Sequence, residues 1–330
     1  MALFAKSPSI TSDVIVPFFK SLSDHGLRLF HNPRTKFSLK SNWGFLEYTG
    51  LYLLGFVLEN SEWISIAKDF LKQCLRIQIL DDGMQWEASP MYHNVVLITL
   101  LEALRIAKIY NDTLFDETEI AIIKKMAWVN VSLKNPDNCQ PMTGDSDNTD
   151  VRDLITRSAL QFRDGKLKFA GLDNVDFDSI WLYDWKSVFI YRKIKPIPVP
   201  TGLFHLIASG QIVMRSGWDR DSFWLYFTNG HTGGGHGHSD KLHLSLWMGG
   251  DEILVDSGRY TYTNVPLRRE LKNAVSHNVP LVDKEEFAAA TGPWGFSALP
   301  ISVPNQVIQK GSYTFIEGSH TGYCQKGIIV

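Results

Sequence analysis

The chain has 330 residues, of which 44% are hydrophobic and 21% charged, and its formal net charge is −2. Its 12% aromatic content excludes disorder over most of the length, and the balanced charge argues against nucleic acid or an anionic membrane as the main partner. Three cysteines without CxxC spacing argue against a disulfide framework, and a prior of about 150 residues per domain predicts two domains.

The first half of the chain has the apolar period of helices. An apolar run from Trp43 to Leu58 contains Glu47 and is shorter than the ~20 residues of a membrane span, so we predict a buried helix there. Apolar residues at three- and four-residue spacing predict further amphipathic helices, which should pack on one another as an open bundle or a ring of hairpins. These helices cover 63–75, 96–104, 120–131 and 154–160.

The pattern changes at Lys195–Pro200, where three prolines at alternate positions form a stiff, non-helical linker. We therefore predict a helical domain over residues 1–199 and an antiparallel β-sandwich over 200–330. Short apolar runs bounded by turn signals predict its strands. They lie at 210–215, 223–228, 242–248, 253–255, 278–282, 303–308 and 313–317.

The two ends of the chain carry their own expectations. The start lacks a basic region followed by a clean apolar run, so no targeting segment is predicted in this chain. The last four residues, 327–330, are an apolar run typical of a strand. We expect the β-domain to be incomplete and the chain to be a fragment of a longer polypeptide.

The strongest chemical signal is a glycine-rich segment that contains His236 and His238. Asp256 follows a predicted strand, and His277 precedes another. Imidazole and carboxylate groups are good zinc ligands, and three protein ligands with one open position are a common arrangement. The alternative is that these histidines only occupy polar loops.

A second cluster lies at the predicted start of a helix. Ser89-Pro90 is typical of a first turn, so Tyr92 and His93 should lie near the positive end of the helix dipole, which stabilises a tyrosinate. In isolation, we favour the simpler interpretation of this segment, an ordinary cap with a packing aromatic residue. Asn42 at the mouth of another helix has the same alternative, an asparagine cap.

Together these segments resemble the heparinase II/III-like polysaccharide lyases, which include heparinases and alginate lyases. The resemblance implies a helical (α/α) toroid followed by an antiparallel β-sandwich, with relatives that are longer at the C-terminus. It extends from about Asn42 to Asp283. The matching pieces, in the family's order, are 41–42, 82–83 with 87–93, 144–147, 214–218, 236–240, 255–258 with Tyr260 and Tyr262, and 276–278.

The resemblance implies β-elimination on uronate-containing polysaccharides and a periplasmic or secreted location. Elimination requires a neutralised uronate carboxylate, a base for the C5 proton and an acid for the leaving oxygen. By resemblance, Asn42 binds the carboxylate, Tyr92 is base, acid or both, and His236 assists. The substrate, an acidic polysaccharide or oligosaccharide, would also contact Trp43, Glu87, His93 and Tyr260.

The same resemblance implies a structural zinc ion near the site, held by His238, Asp256 and His277. It also predicts that Asn42, Tyr92 and His236 converge on one cleft between the two domains.

One position departs from the family pattern, because Trp43 stands where a histidine usually follows the asparagine. Indole cannot accept a proton, although it could stack on a sugar face. This leaves two alternatives to an active lyase: a catalytically weak or silent carbohydrate-binding relative, and a zinc-dependent glycan hydrolase with water on the metal.

Overall fold

The computed structural model of the chain describes residues 7–32, 34–311 and 313–327. Helices occupy the described chain up to Lys193, and antiparallel strands begin at Gly202, which confirms the predicted change in secondary structure. The helices are α1 Ser12–His31, α2 Lys36–Lys40, α3 Asn42–Val57, α4 Ser61–Gln78, α5 Pro90–Ile109, α6 Glu117–Leu133, α7 Arg152–Phe162, α8 Gly165–Ala170, α9 Phe177–Tyr183, α10 Lys186–Lys193 and α11 Pro266–Lys272. The strands are β1 Gly202–Leu206, β2 Gln211–Arg215, β3 Trp224–Thr228, β4 His243–Met248, β5 Asp251–Leu254, β6 Ser302–Lys310 and β7 Tyr313–His320.

Local capping chemistry fixes where several helices begin. The Ser41 hydroxyl accepts the Trp43 N–H at 3.2 Å at the start of α3, so Ser41 rather than Asn42 is the cap. The Asn60 side chain accepts the Trp63 N–H at 3.1 Å at the start of α4. Helix α5 begins at Pro90, as predicted.

The chain divides into two compact units, and the first contains the described residues up to Gln78 together with Glu102–Glu119. Its core lies between α3 and α4, where the rings of Tyr48 and Phe70 stack with centroids 3.8 Å apart. No helix in the described part of the chain is long and apolar enough to cross a bilayer.

The second unit contains Ile79–Leu101 and the described residues from Ile120 onward. Its five-stranded antiparallel sheet has the order β1-β2-β3-β4-β5, and one hydrophobic cluster joins the sheet to helical residues. Burial of these large apolar side chains, at about 25 cal/mol per Å², is what fixes the helical segment onto the sheet. The cluster consists of Met84, Val129, Leu133, Val213, Trp224, Tyr226 and Trp247.

The strand pairing determines where polar groups gather. Thr228 at the end of β3 pairs with His243 at the start of β4, and Leu246 pairs with Leu254 at the end of β5. Because neighbouring strands are antiparallel, β3 ends, β4 begins and β5 ends at the same end of the sheet, and the segments attached there lie close together.

Two segments of the strand half differ from the prediction. Residues 278–282 do not form a strand; Pro280 has no N–H to donate, and Val279, Leu281 and Val282 instead pack against a small cluster around Phe287. Strand β1, which was not predicted, pairs with β2 over its whole length. The predicted apolar strand at the C-terminus falls largely on residues 328–330, which lie outside the described residues.

Candidate functional site

The glycine-rich segment after β3 is held by close backbone contacts. A Cβ atom on Gly237 would lie 1.4 Å from the Thr232 carbonyl oxygen, and one on Gly233, where φ is +73°, would lie 1.9 Å from the Glu87 oxygen. Glycine is therefore required at both positions. The buried Lys272 ammonium donates to the carbonyl oxygens of Gly235 at 3.0 Å and Gly237 at 2.7 Å, which orders the segment that carries His236.

His236 meets two tyrosines. The rings of Tyr92 and His236 stack with centroids 3.4 Å apart, and the Tyr92 and Tyr262 hydroxyl oxygens lie 2.8 Å apart. Tyr262 also packs edge-on against the His236 ring and stacks on Trp294. The predicted encounter of Tyr92 with His236 is thus present within the second unit, and Tyr262 joins it.

The acidity of Tyr92 differs from the sequence-based expectation. Burial raises the pKa of Tyr92, and this outweighs the lowering by its hydrogen bond to Tyr262 and by the nearby Arg259. The dipole at the first turn of α5 does not produce a tyrosinate here. Both phenols are protonated at neutral pH, since the pKa of Tyr262 is raised as well, again mainly by burial.

The His236 ring is anchored on its other side by Asp145. The Asp145 carboxylate accepts from His236 Nδ1 at 2.9 Å and from His238 Nε2 at 2.9 Å, and it pairs with Arg268 at 2.6 Å. Burial alone would raise the pKa of Asp145, but these hydrogen bonds and charges hold it well below the usual range. Asp145 is therefore ionised, so it accepts and each histidine nitrogen facing it carries a proton.

A second buried carboxylate lies after β5. Asp256 accepts from His277 Nδ1 at 2.8 Å, and His243 Nδ1 lies 3.5 Å from the same oxygen. Ligand atoms of His243, Asp256 and His277 lie within 4.8 Å of one another, a spacing that could hold a metal ion. Burial would lower the pKa of His277, but Asp256 outweighs it and raises this pKa, so the position favours positive charge.

The hydrogen bonds distinguish the histidines that could ligate the ion. His243 is engaged, because its Nδ1 accepts the Asn278 N–H at 3.2 Å and its Nε2 contacts the Ser245 hydroxyl at 2.8 Å. By contrast, His238 Nδ1 and His277 Nε2 are buried without a hydrogen-bond partner among the described residues. The donor set of two imidazoles and a carboxylate fits zinc, and the two unpartnered nitrogens fit the predicted ligands His238 and His277.

The other predicted residues of this unit differ in access. His93 is fully buried, its Nδ1 accepts the Gln85 N–H at 3.2 Å, and its Nε2 bonds to the Met126 carbonyl at 3.0 Å. Burial lowers the pKa of His93 to about 4, so this ring is neutral, and the geometry favours a packing role over the predicted sugar contact. Glu87 is 5% exposed and bonds to Gln85 at 3.3 Å, whereas Tyr260 is 68% exposed.

Asn42 and Trp43 belong to the first unit. Asn42 is buried in the first turn of α3, and Trp43 is 58% exposed with an edge-on contact to Phe37. Their convergence with Tyr92 and His236 stays a prediction.

A cavity of about 670 Å³ lies along the glycine-rich segment within the second unit. The parallel rings of Trp86 and His231, with centroids 6.4 Å apart, form part of its wall, and Ile207 and Ile301 add apolar surface. Such a wall offers flat and apolar faces to a ligand.

Sequence reasoning did not identify His243, Asp145, Tyr262 or Arg268 as members of these clusters. His243 falls in the alternating pattern of β4 and gives no separate signal. Arg268 lies in α11, outside the segments that carry the family resemblance. Asp145 and Tyr262 do lie within such segments, and that position is the signal that could have identified them.

Comparison with known proteins places these clusters in a family. The model for "Heparinase II/III N-terminus" matches residues 1–167, half of the chain, and the model for "Heparinase II/III-like, C-terminal" matches residues 198–330. The chain belongs to the heparinase II/III family. The resemblance inferred from the motifs is confirmed.

Two curated proteins named as heparin-sulfate lyases share low sequence identity with this chain. The chain is 24% identical over 266 residues to a heparin-sulfate lyase of Bacteroides stercoris, covering 79% of this chain and 37% of that protein. It is 24% identical over 290 residues to a heparin-sulfate lyase of Pedobacter heparinus, covering 82% and 39%. The chain therefore spans well under half the length of these curated relatives.

Solved structures agree in fold. The heparan sulfate lyase HepC from Pedobacter heparinus superposes with a TM-score of 0.69 at 20% identity, covering 97% of this chain and 49% of that one. A structure of heparinase III gives a TM-score of 0.72 at 17% identity, covering 96% and 50%.

Proposed function

We propose that this chain carries the catalytic groups of a polysaccharide lyase that cleaves uronate-containing glycosaminoglycans by β-elimination. The relatives named as heparin-sulfate lyases suggest a heparan-type substrate. The observation that carries the proposal is the meeting of Tyr92, His236 and Tyr262 in one cluster. Two phenols and an anchored imidazole are the proton-handling groups that an elimination requires.

The protonation states suggest which group does what. Because Asp145 binds the Nδ1–H of His236, Nε2 keeps a lone pair and can take the C5 proton of the uronate. The C5–H electron pair forms the C4=C5 double bond as the C4–O bond breaks. Tyr92, whose raised pKa keeps it protonated, donates its proton to the leaving oxygen.

Recovery of the starting state needs a proton path between the two groups. The imidazolium formed on His236 lies against Tyr92, and the Tyr262 hydroxyl is within hydrogen-bond distance of the Tyr92 oxygen. We assign the return of a proton to Tyr92 to this contact: Tyr262 passes its proton to the Tyr92 oxygen and regains one from solvent, while His236 releases the C5 proton to solvent. Asn42 is proposed to neutralise the uronate carboxylate, which makes the C5 proton acidic enough to remove.

Other residues are assigned to binding. Trp43 and Tyr260, both exposed, are proposed to contact sugar faces, and Glu87 is proposed to contact sugar hydroxyls. The cavity beside Trp86 and His231 is proposed to hold a neighbouring sugar unit.

The finer architecture is also proposed here. A domain boundary near residues 199–200, with an (α/α) toroid before it and a β-sandwich after it, is proposed; the two family models, which match residues 1–167 and 198–330, support a division in this region. A periplasmic or secreted location suits a polymeric substrate.

Zinc is proposed as a structural ion on His238, Asp256 and His277, where it would supply a fixed positive charge that ties three segments together.

The test is an elimination assay on the purified chain with uronate polysaccharides. A lyase makes an unsaturated uronate that absorbs ultraviolet light, a hydrolase makes reducing ends without that chromophore, and a silent relative makes neither. Tyr92→Phe removes one oxygen and should lower turnover about 10²–10⁴-fold. Tyr313→Phe, at a tyrosine that is 79% exposed, is the matched control and should leave turnover unchanged. Near-normal turnover in Tyr92→Phe would refute the assignment.

A further inference from the structure

We propose that Asp145 is a positioning residue which sets the tautomers of two histidines at once, the proton-handling His236 and the proposed metal ligand His238. The inference rests on the proposed function for its catalytic consequence. The structural claim, that the Asp145 carboxylate sets the tautomers of both His236 and His238, does not depend on that function.

The geometry gives each carboxylate oxygen its own ring. Asp145 Oδ2 faces His236 Nδ1 at 2.9 Å, and Oδ1 faces His238 Nε2 at 2.9 Å. Opposite nitrogens of the two rings are bound, although the histidines are only two positions apart in the chain. A proton on each bound nitrogen leaves His236 Nε2 and His238 Nδ1 as the basic atoms.

The charge of the carboxylate is fixed by a permanent cation. Arg268 is fully buried and pairs with Oδ1 of Asp145 at 2.6 Å, and it also donates to the Pro293 carbonyl at 3.0 Å. Guanidinium does not lose its proton in proteins, so the carboxylate keeps its acceptor role. Arg268 Nη1 also lies 3.4 Å from His238 Nε2, but that nitrogen is closer to the carboxylate, at 2.9 Å, so its proton is assigned to the bond with Asp145. Arg268 thereby keeps Asp145 an acceptor toward both histidines.

The backbone of Asp145 is also hydrogen-bonded to the segment that carries the histidines. Its N–H donates to the His236 carbonyl at 2.8 Å, and its own carbonyl accepts the Ser89 hydroxyl at 3.1 Å. At the preceding Gly144, φ is +60° and a Cβ would lie 2.9 Å from the His236 oxygen. The carboxylate therefore cannot shift far relative to the ring that it orients.

An aspartate that fixes the tautomer of a proton-accepting histidine acts by keeping the correct nitrogen free and the ring still. Here the same group also leaves the lone pair of His238 directed away from Asp145. Asparagine at 145 could accept from one ring only and would present an N–H to the other. We therefore expect Asp145→Asn to lower kcat about 10–100-fold, the usual cost of losing such a partner, with KM changed less than about threefold.

The decisive experiment has a readout that needs no activity. Histidine ¹⁵N and ¹³C NMR of the full chain, at a pH where the rings are neutral, reports the tautomer, and His236→Gln and His238→Gln assign the signals. We expect His236 as the Nδ1–H tautomer and His238 as the Nε2–H tautomer. The opposite tautomer at either ring in the native chain overturns the proposal; the tautomers themselves are read on the native chain, and the two variants serve only to assign the signals.

Substitutions at Asp145 test whether the histidine tautomers matter for turnover. Asp145→Asn should lose the His236 signature together with kcat, and Asp145→Glu, which restores a carboxylate, should recover part of both. Asp82→Asn is the matched control, because Asp82 bonds to Ser209 and the Met84 N–H but to no histidine among the described residues. Unchanged kcat in Asp145→Asn on a cleaved substrate would overturn the catalytic part. Correct tautomers in a chain that cleaves no glycan would instead count against the proposed function alone.

Discussion

The second unit contains two buried carboxylates that both bind histidines, Asp145 and Asp256, yet their surroundings differ. Asp145 pairs with the buried Arg268 as well as with His236 and His238. For Asp256, the titratable neighbours within 4 Å among the described residues are two histidines: His277 donates to it at 2.8 Å, and His243 Nδ1 lies 3.5 Å away. One cluster includes its own permanent cation, whereas the other relies on groups whose charge depends on protonation.

This difference indicates what each cluster is suited to do. A carboxylate balanced by a permanent cation stays ionised and holds its neighbours in one protonation state, as catalysis requires. A carboxylate faced by imidazoles alone raises the pKa of His277 and leaves a place for a cation. The charge of Asp145 is balanced without an ion, whereas the charge of Asp256 is better balanced by one.

The largest effect should follow from making the first cluster resemble the second. Arg268→Met removes the cation and leaves Asp145 buried against histidines alone. Breaking a buried pair by removing one partner costs about 3–5 kcal/mol, and we expect that loss in the free energy of unfolding. Urea unfolding of the native chain and the variant measures it.

The same substitution at an exposed arginine is the control. Arg152 pairs with Asp150 at 2.6 Å, but the two side chains are 38% and 42% exposed. Solvent screens such a pair, so Arg152→Met should cost at most about 1 kcal/mol. Equal losses in the two variants would show that Arg268 has no special role and that the contrast between the clusters is wrong.

A smaller effect should come from a histidine that has no carboxylate partner. Among the described residues, His93 bonds to the Gln85 N–H and the Met126 carbonyl, and Asp82 is the charge that acts on it from a distance. Its pKa falls from 6.5 to about 4 on folding. The neutral form stabilises the fold above pH 6.5, and this stability is lost as the pH falls toward 4, by about 3 kcal/mol in total.

The difference between two pH profiles isolates this contribution. The free energy of unfolding of the native chain should fall more steeply between pH 6.5 and 4 than that of His93→Gln, which cannot titrate. Denaturant titrations at several pH values give both curves. Parallel curves would mean that burial does not keep His93 neutral, and that a carboxylate is not what distinguishes it from His277.

The sequence allowed much of the local structure to be predicted, because local rules determine it. Ser89-Pro90 correctly indicated the start of α5, and the apolar run from Trp43 correctly indicated a buried helix. The error at 278–282 arose from an apolar run whose proline cannot join a ladder. The spacing of apolar residues alone does not distinguish a β-strand from an extended segment that packs against a small hydrophobic cluster.

The candidate site was only partly predictable, because its contacts join distant segments. Tyr92 and His236 were paired through the resemblance, whereas the Asp145 bridge spans 91 and 93 positions and depends on the fold. The sign of the Tyr92 pKa shift was also missed. A helix start is visible in sequence, but the burial that opposes its dipole is a tertiary property.

The last prediction concerns the ion at the second cluster. We expect the purified chain to hold about one zinc per molecule, with His238, Asp256 and His277 as ligands. If free zinc is 100 times its dissociation constant, chelation should lower the stability by about 2.7 kcal/mol and lower Tm accordingly. Metal analysis and thermal unfolding, each with and without chelator, measure the two effects.

Two matched variants identify the ligands. His238→Gln should lose the zinc, because it removes the buried Nδ1 that has no partner among the described residues. His243→Gln should keep it, since the nitrogens of His243 already bond to Asn278 and Ser245. The reverse result would assign the ion to the closely spaced set of His243, Asp256 and His277. In that case Asp145 would serve His236 alone, and the two carboxylate clusters would be independent of each other.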